Sequence, residues 1–162
     1  MRAIVSVTRD WGIGCEGRLV VKNPADMRHF RAQTTGGTVI MGRRTFESLP
    51  GGALPKRRNI VLTHDACFQA PNVEVAHSID EVRSHVATDD PEAVWLIGGA
   101  QLYATLLDEC TEAIVTRNDV SVPCDVFFRD LEADPAWDLV RTLSEGVTPA
   151  GIAYTIDVFA HR

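Results

Sequence analysis

VSVTRDWGIGCEGRLVVKNPADMRHF, residues 5–30, is the stretch on which the reading of the fold turns. A short apolar run leads into Gly12, Gly14 and Gly17, which satisfy the pattern G-x-G-x-x-G. A Rossmann fingerprint works because a helix begins inside the glycines. The pyrophosphate rests on that helix's free N–H groups, and the third glycine lets helix and strand pack closely. Here RLVVKNP follows, and two valines with Asn-Pro leave no room for a useful helix before residue 23. The next helix has its own start: Asn23 at the N-cap, Pro24 at the first helical position and Asp26 in the first turn. The glycines are therefore expected to form a mobile loop between strand and helix, of the kind that closes over a ligand.

Outward from this stretch, β-branched apolar runs recur at 3–7, 38–41, 59–63, 73–76, 93–97 and 113–116. Several are apolar throughout, as central strands covered on both faces are. Helical segments with start signals lie among them. HSIDEVRSHV offers Ser78 and Glu81 as a capping box, and GGAQLYATLL runs on from Gly98-Gly99. PGGALPKRRN (50–59) is a loop by its Pro and Gly content. WDLVRTL and IAYTIDVFA, joined by SEGVTPAG, suggest a long terminal hairpin. The expected fold is α/β: a three-layer arrangement with a mostly parallel central sheet, an antiparallel C-terminal hairpin strand and flanking helices.

The 162 residues, 45% hydrophobic and 23% charged, suit one domain spanning 1–162. A net charge of -6 argues against nucleic acid or an anionic membrane as main partner, although a local basic patch can still bind phosphate. Cys15, Cys67, Cys110 and Cys124 form no C-x-x-C pair and no zinc spacing with histidine, which points to reduced thiols. His29, His64, His77, His85 and His161 show no metal-ligand pattern, so no metal is expected. MRAIVSVT is too short an apolar run for a signal peptide, and no run reaches membrane-spanning length. A cytoplasmic location is expected.

Three local patterns carry chemistry. In VIMGRRTFESL a buried strand passes through Gly42 into a helix opening with Arg43, Arg44 and Thr45, which makes an anion site or a solvated basic patch. In LIGGAQLY two glycines allow a ligand close approach before a second helix start, or form a plain strand-to-helix turn. Arg57 and Arg58 follow LPK, and an arginine there clamps a carboxylate or is simply exposed.

Taken in order, the W-G-I-G loop, NPADMRHF, VIMGRRTFESL, LPKRRNIVLT, VWLIGGAQLY and the Thr116 that ends AIVT resemble the dihydrofolate reductase family over nearly the whole chain. The resemblance implies NADPH-dependent reduction of 7,8-dihydrofolate to tetrahydrofolate, with hydride passing from nicotinamide C4 to pterin C6. It makes Asp26 the catalytic carboxylate, which orients the pterin and promotes protonation at N5. Substrate would meet Ile4, Val5, Met27, Phe30, Leu49, Leu54, Ile97, Tyr103 and Thr116. Arg57, rather than Arg58, would hold the α-carboxylate of the glutamate tail. NADPH would meet Ser6, Ile13, Gly14, Leu19, Gly42, Arg43, Arg44, Thr45, Leu62, Thr63 and His64, then Gly98, Gly99, Ala100, Gln101 and Leu102. A cis peptide between the paired glycines is also implied, as are antifolate inhibitors and a monomeric state.

Departures from the family pattern are Val20-Val21 where a Pro-Trp pair is common, Ser6 where a small apolar residue is usual, and Gln101 where some members carry arginine. The loop at residues 50–55 is one residue longer than in the shortest members. A riboflavin-pathway or other pteridine reductase of the same fold is the nearest alternative, but it needs no carboxylate at Asp26. A non-catalytic nucleotide-binding module would have no use for Asp26, Arg57 and Thr116 together.

Overall fold

The structure is a computed structural model that describes residues 1–162. In chain order the elements are β1 (Arg2–Val7), β2 (Gly12–Gly14), α1 (Pro24–Thr34), β3 (Thr38–Gly42), α2 (Arg43–Glu47), β4 (Arg58–Leu62), β5 (Glu74–Ala76) and α3 (Ile79–His85). β6 (Val94–Gly98), α4 (Ala100–Leu106), β7 (Glu112–Asn118), β8 (Val126–Phe127), β9 (Trp137–Val147) and β10 (Ala153–His161) complete them. Eight strands build one sheet in the order β5-β4-β3-β6-β1-β7-β10-β9. Every pairing from β5 to β7 is parallel, and β10 lies antiparallel to both β7 and β9. The expected fold class is the one observed.

Alternation along the strands sorts the core into two layers. Ala3, Val5 and Val7 of β1 join Leu96, Ala113 and Val115 in the larger cluster, closed by Val82 of α3 and by Leu102, Tyr103 and Leu106 of α4. Ile4, Val39, Met41, Trp95 and Ile114 point the other way, with Phe30 of α1 and Phe46 of α2 packed against them. Residues buried on both faces explain why these strands read as unbroken apolar runs.

The six β-branched apolar runs appear as strands within a residue or two of their anticipated limits. Asn23 caps α1 by accepting from Asp26 N at 3.1 Å. Ser78 accepts from Glu81 N at 3.1 Å, but the Glu81 carboxylate returns to His77 N rather than to Ser78 N. The capping box is thus displaced by one residue on its return arm.

The glycine stretch is not a Rossmann turn. After Gly14 the chain makes a tight Cys15–Arg18 turn, closed by two backbone hydrogen bonds of 3.0 Å, and no helix begins before Pro24. Nor is it wholly a loop: Gly12–Gly14 pairs antiparallel with β8 in a small second sheet. Gly12 makes this possible, because a Cβ there would lie 2.2 Å from Cys124 Sγ. The terminal hairpin also differs from expectation. Ser144–Val147 continue β9, so the turn shrinks to 148–152.

Candidate active site

Asp26 occupies the third position of α1, and its carboxylate accepts from Thr116 Oγ1 at 2.5 Å. Thr116 stands opposite Ser6 in the β1–β7 register and is 1% exposed. The alternation that turns Ile4 and Ile114 toward α1 turns Thr116 there as well. Burial pushes the Asp26 carboxyl above the ordinary carboxylate range, while the Thr116 hydrogen bond and the charge of His29 oppose that rise. Burial in turn pushes the His29 pKa down, and its Nε2 is buried without a partner.

Asn118 fixes this corner and was not foreseen from sequence. Its amide donates to Ser6 Oγ and to Val7 O, both at 3.0 Å, and its Oδ1 accepts from Asn23 Nδ2 at 3.0 Å. One buried amide therefore joins β1, β7 and the cap of α1. The only signal in the sequence was a polar residue two places beyond Thr116 on a strand that is otherwise buried.

Phe30, Leu49, Leu54 and Ile97 pack around the smaller cluster beside Asp26, and Met27 is more than half exposed. Val5 belongs to the opposite layer, so its side chain faces away from Asp26 and only its backbone is available on that side. Tyr103 is also in that layer, its hydroxyl donating to Ile4 O at 2.7 Å. It supports the floor of the site from beneath.

Arg57 donates to Thr34 Oγ1 and to Pro55 O, both at 3.0 Å, and has no carboxylate partner. Arg58 is consumed by Glu74 and Asp89. The structure thus separates two arginines that the local sequence left equivalent.

At the C-terminal edge of the parallel strands, α2 and α4 begin side by side. Gly42 and Gly99 are their N-caps and neither helix has a side-chain cap. A Cβ on Gly42 would lie 3.8 Å from Gly99 N, and one on Gly98 or Gly99 would lie 3.5 Å from Thr45 Oγ1. The Gly98–Gly99 peptide is cis. Two sets of free N–H groups share one cradle that side chains would otherwise fill. Leu62 and Ala100 border the larger cluster, while Ile13 and Leu102 are buried within it.

Arg43 and Arg44 differ in a way the sequence did not disclose. The Arg43 guanidinium binds Glu47 at 2.7 Å and Asp65 at 2.9 Å and lies over the Phe68 ring, whereas Arg44 is exposed and unpaired. Thr63 follows β4 instead of ending it, and its hydroxyl accepts from Asp65 N, whereas His64 and Gln101 are exposed. Ser6 is half-buried. Of the glycine segment, Gly14 lies in β2 and Leu19 projects, 69% exposed. Glu16 N donates to Asp125 Oδ2 at 2.9 Å, which ties this segment to the chain just before β8.

The dihydrofolate reductase family model matches residues 1–158. A dihydrofolate reductase type 3 of Salmonella typhimurium is 47% identical over 107 residues, 66% of this chain and 64% of that protein. The dihydrofolate reductase of Mycobacterium tuberculosis is 43% identical over 113 residues, 68% of this chain and 66% of its own length. In both relatives the matched part is thus slightly under two thirds of the protein. A solved dihydrofolate reductase from Enterococcus faecalis, complexed with NADP(H) and RAB-propyl, superposes with a TM-score of 0.88 at 29% identity, covering 99% of this chain and 95% of that one. With a half-buried carboxylate on α1, a cradle of two helix starts and this sheet order in one molecule, the chain belongs to the dihydrofolate reductase family.

Proposed function

We propose that this chain reduces 7,8-dihydrofolate to tetrahydrofolate with NADPH. The observation that carries the reading is Asp26: one carboxylate, held by Thr116, in an otherwise apolar wall beside Phe30, Leu49 and Leu54. A carboxylate so placed accepts two hydrogen bonds from the amidine-like edge of a pterin. Thr116 leaves its second oxygen free for that purpose. The raised pKa of Asp26 also favours holding a proton near the site, which serves protonation at N5. Arg57, without a carboxylate partner, takes the α-carboxylate of the glutamate tail. The same wall suits diaminopyrimidine antifolates.

Gly42, Gly98 and Gly99 with Thr45 form the cradle for the phosphates of NADPH, flanked by Arg43, Arg44, Thr63, His64 and Gln101. When bound, NADPH supplies the hydride. Asp26 orients the pterin, and the glycine stretch with Leu19 covers the site from one side. The chain works as a single-domain monomer. The fall in NADPH absorbance on adding dihydrofolate tests the reading, with Asp26→Asn beside the wild type. The variant is expected to lose most activity at neutral pH and to regain part of it in acid, where solution protonates more of the substrate. Wild-type rates for this variant at neutral pH would remove Asp26 from the mechanism.

A further inference from the structure

From Ala3 to Val7, β1 is apolar except at Ser6. Alternation places Ser6 on the same face as Ile4, toward α1, and the β1–β7 register sets it opposite Thr116. Its hydroxyl ends a chain of side-chain hydrogen bonds that begins at the cap of α1 and runs through Asn23 and Asn118.

The direction of that chain is dictated at both ends by backbone groups. Asp26 N can only donate, so the Asn23 atom that meets it is the oxygen. Asn23 therefore turns its Nδ2 to Asn118, and the Asn118 atom 3.0 Å away is the acceptor, Oδ1. Val7 O can only accept, so the Asn118 atom that meets it, also at 3.0 Å, is Nδ2. The same Nδ2 lies 3.0 Å from Ser6 Oγ. An amide nitrogen accepts no hydrogen bond, so Ser6 Oγ receives one here and cannot give its own proton back. Turning either amide over would set donor against donor at Asp26 N or acceptor against acceptor at Val7 O. Asn23 and Asn118 are buried, so water cannot relieve such a reversal. Ser6 makes no other side-chain hydrogen bond, and it is half-buried. Its O–H is thus a committed donor on the open side of the C-terminal end of β1.

The place of this donor matters as much as its polarity. β1 lies between β6, which runs into the Gly98–Gly99 cradle, and β7, whose Thr116 holds Asp26. Hydride passes only between rings that touch. With a pterin at Asp26 and phosphates at the cradle, the two rings meet over the end of the strand between them. The pterin turns a donor edge to Asp26. The nicotinamide carries one polar substituent, the carboxamide beside the carbon that gives the hydride, and its oxygen is an acceptor for a lone O–H. In the reduced ring the lone pair of N1 is conjugated to that oxygen and makes it electron-rich. In the oxidised ring the positive charge draws the same density away.

We propose that Ser6 Oγ donates to the carboxamide oxygen of the nicotinamide and selects the reduced cofactor over the oxidised one, its donor role imposed from the cap of α1 through Asn23 and Asn118. This rests on the reductase reading. The hydrogen bond is stronger to NADPH than to NADP⁺, so Ser6 favours binding of the hydride donor and release of the spent cofactor. It also joins the cofactor side of the site to the helix that carries Asp26 through one continuous chain of hydrogen bonds.

The test is a set of binding titrations of wild type and Ser6→Ala with NADPH, with NADP⁺, and with the thionicotinamide analogue of NADPH, whose sulfur is a poor acceptor. Ser6→Ala is expected to weaken NADPH about 3- to 10-fold, the range of one neutral hydrogen bond, and the other two ligands by less than about 2-fold. Ser6→Cys, a weak donor of similar size, should fall between serine and alanine. Urea unfolding of wild type and Ser6→Ala should nearly coincide, because Asn118 keeps its bonds to Val7 and Asn23. Equal losses for the three ligands would make Ser6 a structural residue and overturn the proposal, as would an unchanged NADPH affinity. Dihydrofolate added to wild type with NADPH tests the reading beneath it. No oxidation there would overturn the reductase reading, and this proposal with it.

Discussion

Asp26 is held above the ordinary carboxylate range by burial, against the Thr116 hydrogen bond and the His29 charge. A carboxyl with a raised folded-state pKa binds more protons in the folded chain than in the unfolded one. Its ionisation therefore lowers stability as pH climbs from the unfolded pKa through the folded one, and the deficit persists above that. Asp26→Asn, whose Oδ1 still accepts from Thr116, should be more resistant to urea than wild type at pH 7, with the advantage gone near pH 3. Unfolding curves at the two pH values check this, and an unchanged difference would mean that Asp26 is not strained by its charge. Arg43 poses a second problem at this scale. A 2′-phosphate approaching its guanidinium meets Glu47 and Asp65 already there, at 2.7 Å and 2.9 Å. NADPH should still be preferred over NADH, but less than two adjacent arginines suggest. Asp65→Asn is expected to raise the ratio of kcat/KM for the two cofactors by about 2- to 5-fold, since it removes one exposed repulsion. A fall in that ratio would show that Asp65 positions Arg43 for the phosphate.

The start of α1 shows how far an element can be read from its own residues. Asn23, Pro24 and Asp26 announced the cap, because a cap is made by neighbours three residues apart. What anchors that cap to the sheet was not announced, because Asn118 lies 95 residues from Asn23 and 112 from Ser6. Asn118→Ala should destabilise the fold by about 1–3 kcal/mol, the range for leaving buried partners unsatisfied. It should also raise the KM for dihydrofolate, since the entry of α1 that aims Asp26 is loosened. Urea unfolding and steady-state kinetics read the two effects separately. The same division runs through the other elements. The Arg43–Glu47 pair is one helical turn apart and open to local reading, whereas the Asp65 that completes it is not. β2 and β8, with three and two residues, are too short to show a period of two, and their antiparallel pairing joins residues more than 110 apart in the chain. The Asp26–Thr116 contact was legible only through the family resemblance, since an isolated threonine at a strand end carries no local signal.

Across the whole molecule, alternating strands and helices announced a parallel sheet, yet the order of its strands rests on pairings that no local pattern encodes. β1, first in the chain, lies near the middle of the sheet between β6 and β7. That arrangement bears on synthesis. When the first 90 residues have left the ribosome, β1 has neither neighbour, and both its edges are free to pair with other chains. Asp26 cannot meet Thr116, 90 residues on, until β7 has also emerged. Closure of the site is therefore a late event, and ligands for it cannot assist the early nascent chain. A fragment of residues 1–90 is expected to aggregate when expressed alone and to regain order only with residues 91–162 supplied. Sedimentation and circular dichroism of the separate and mixed fragments would show this. A soluble, well-ordered 1–90 fragment would mean that β3, β4 and β5 form a self-sufficient nucleus before the central strand finds its place.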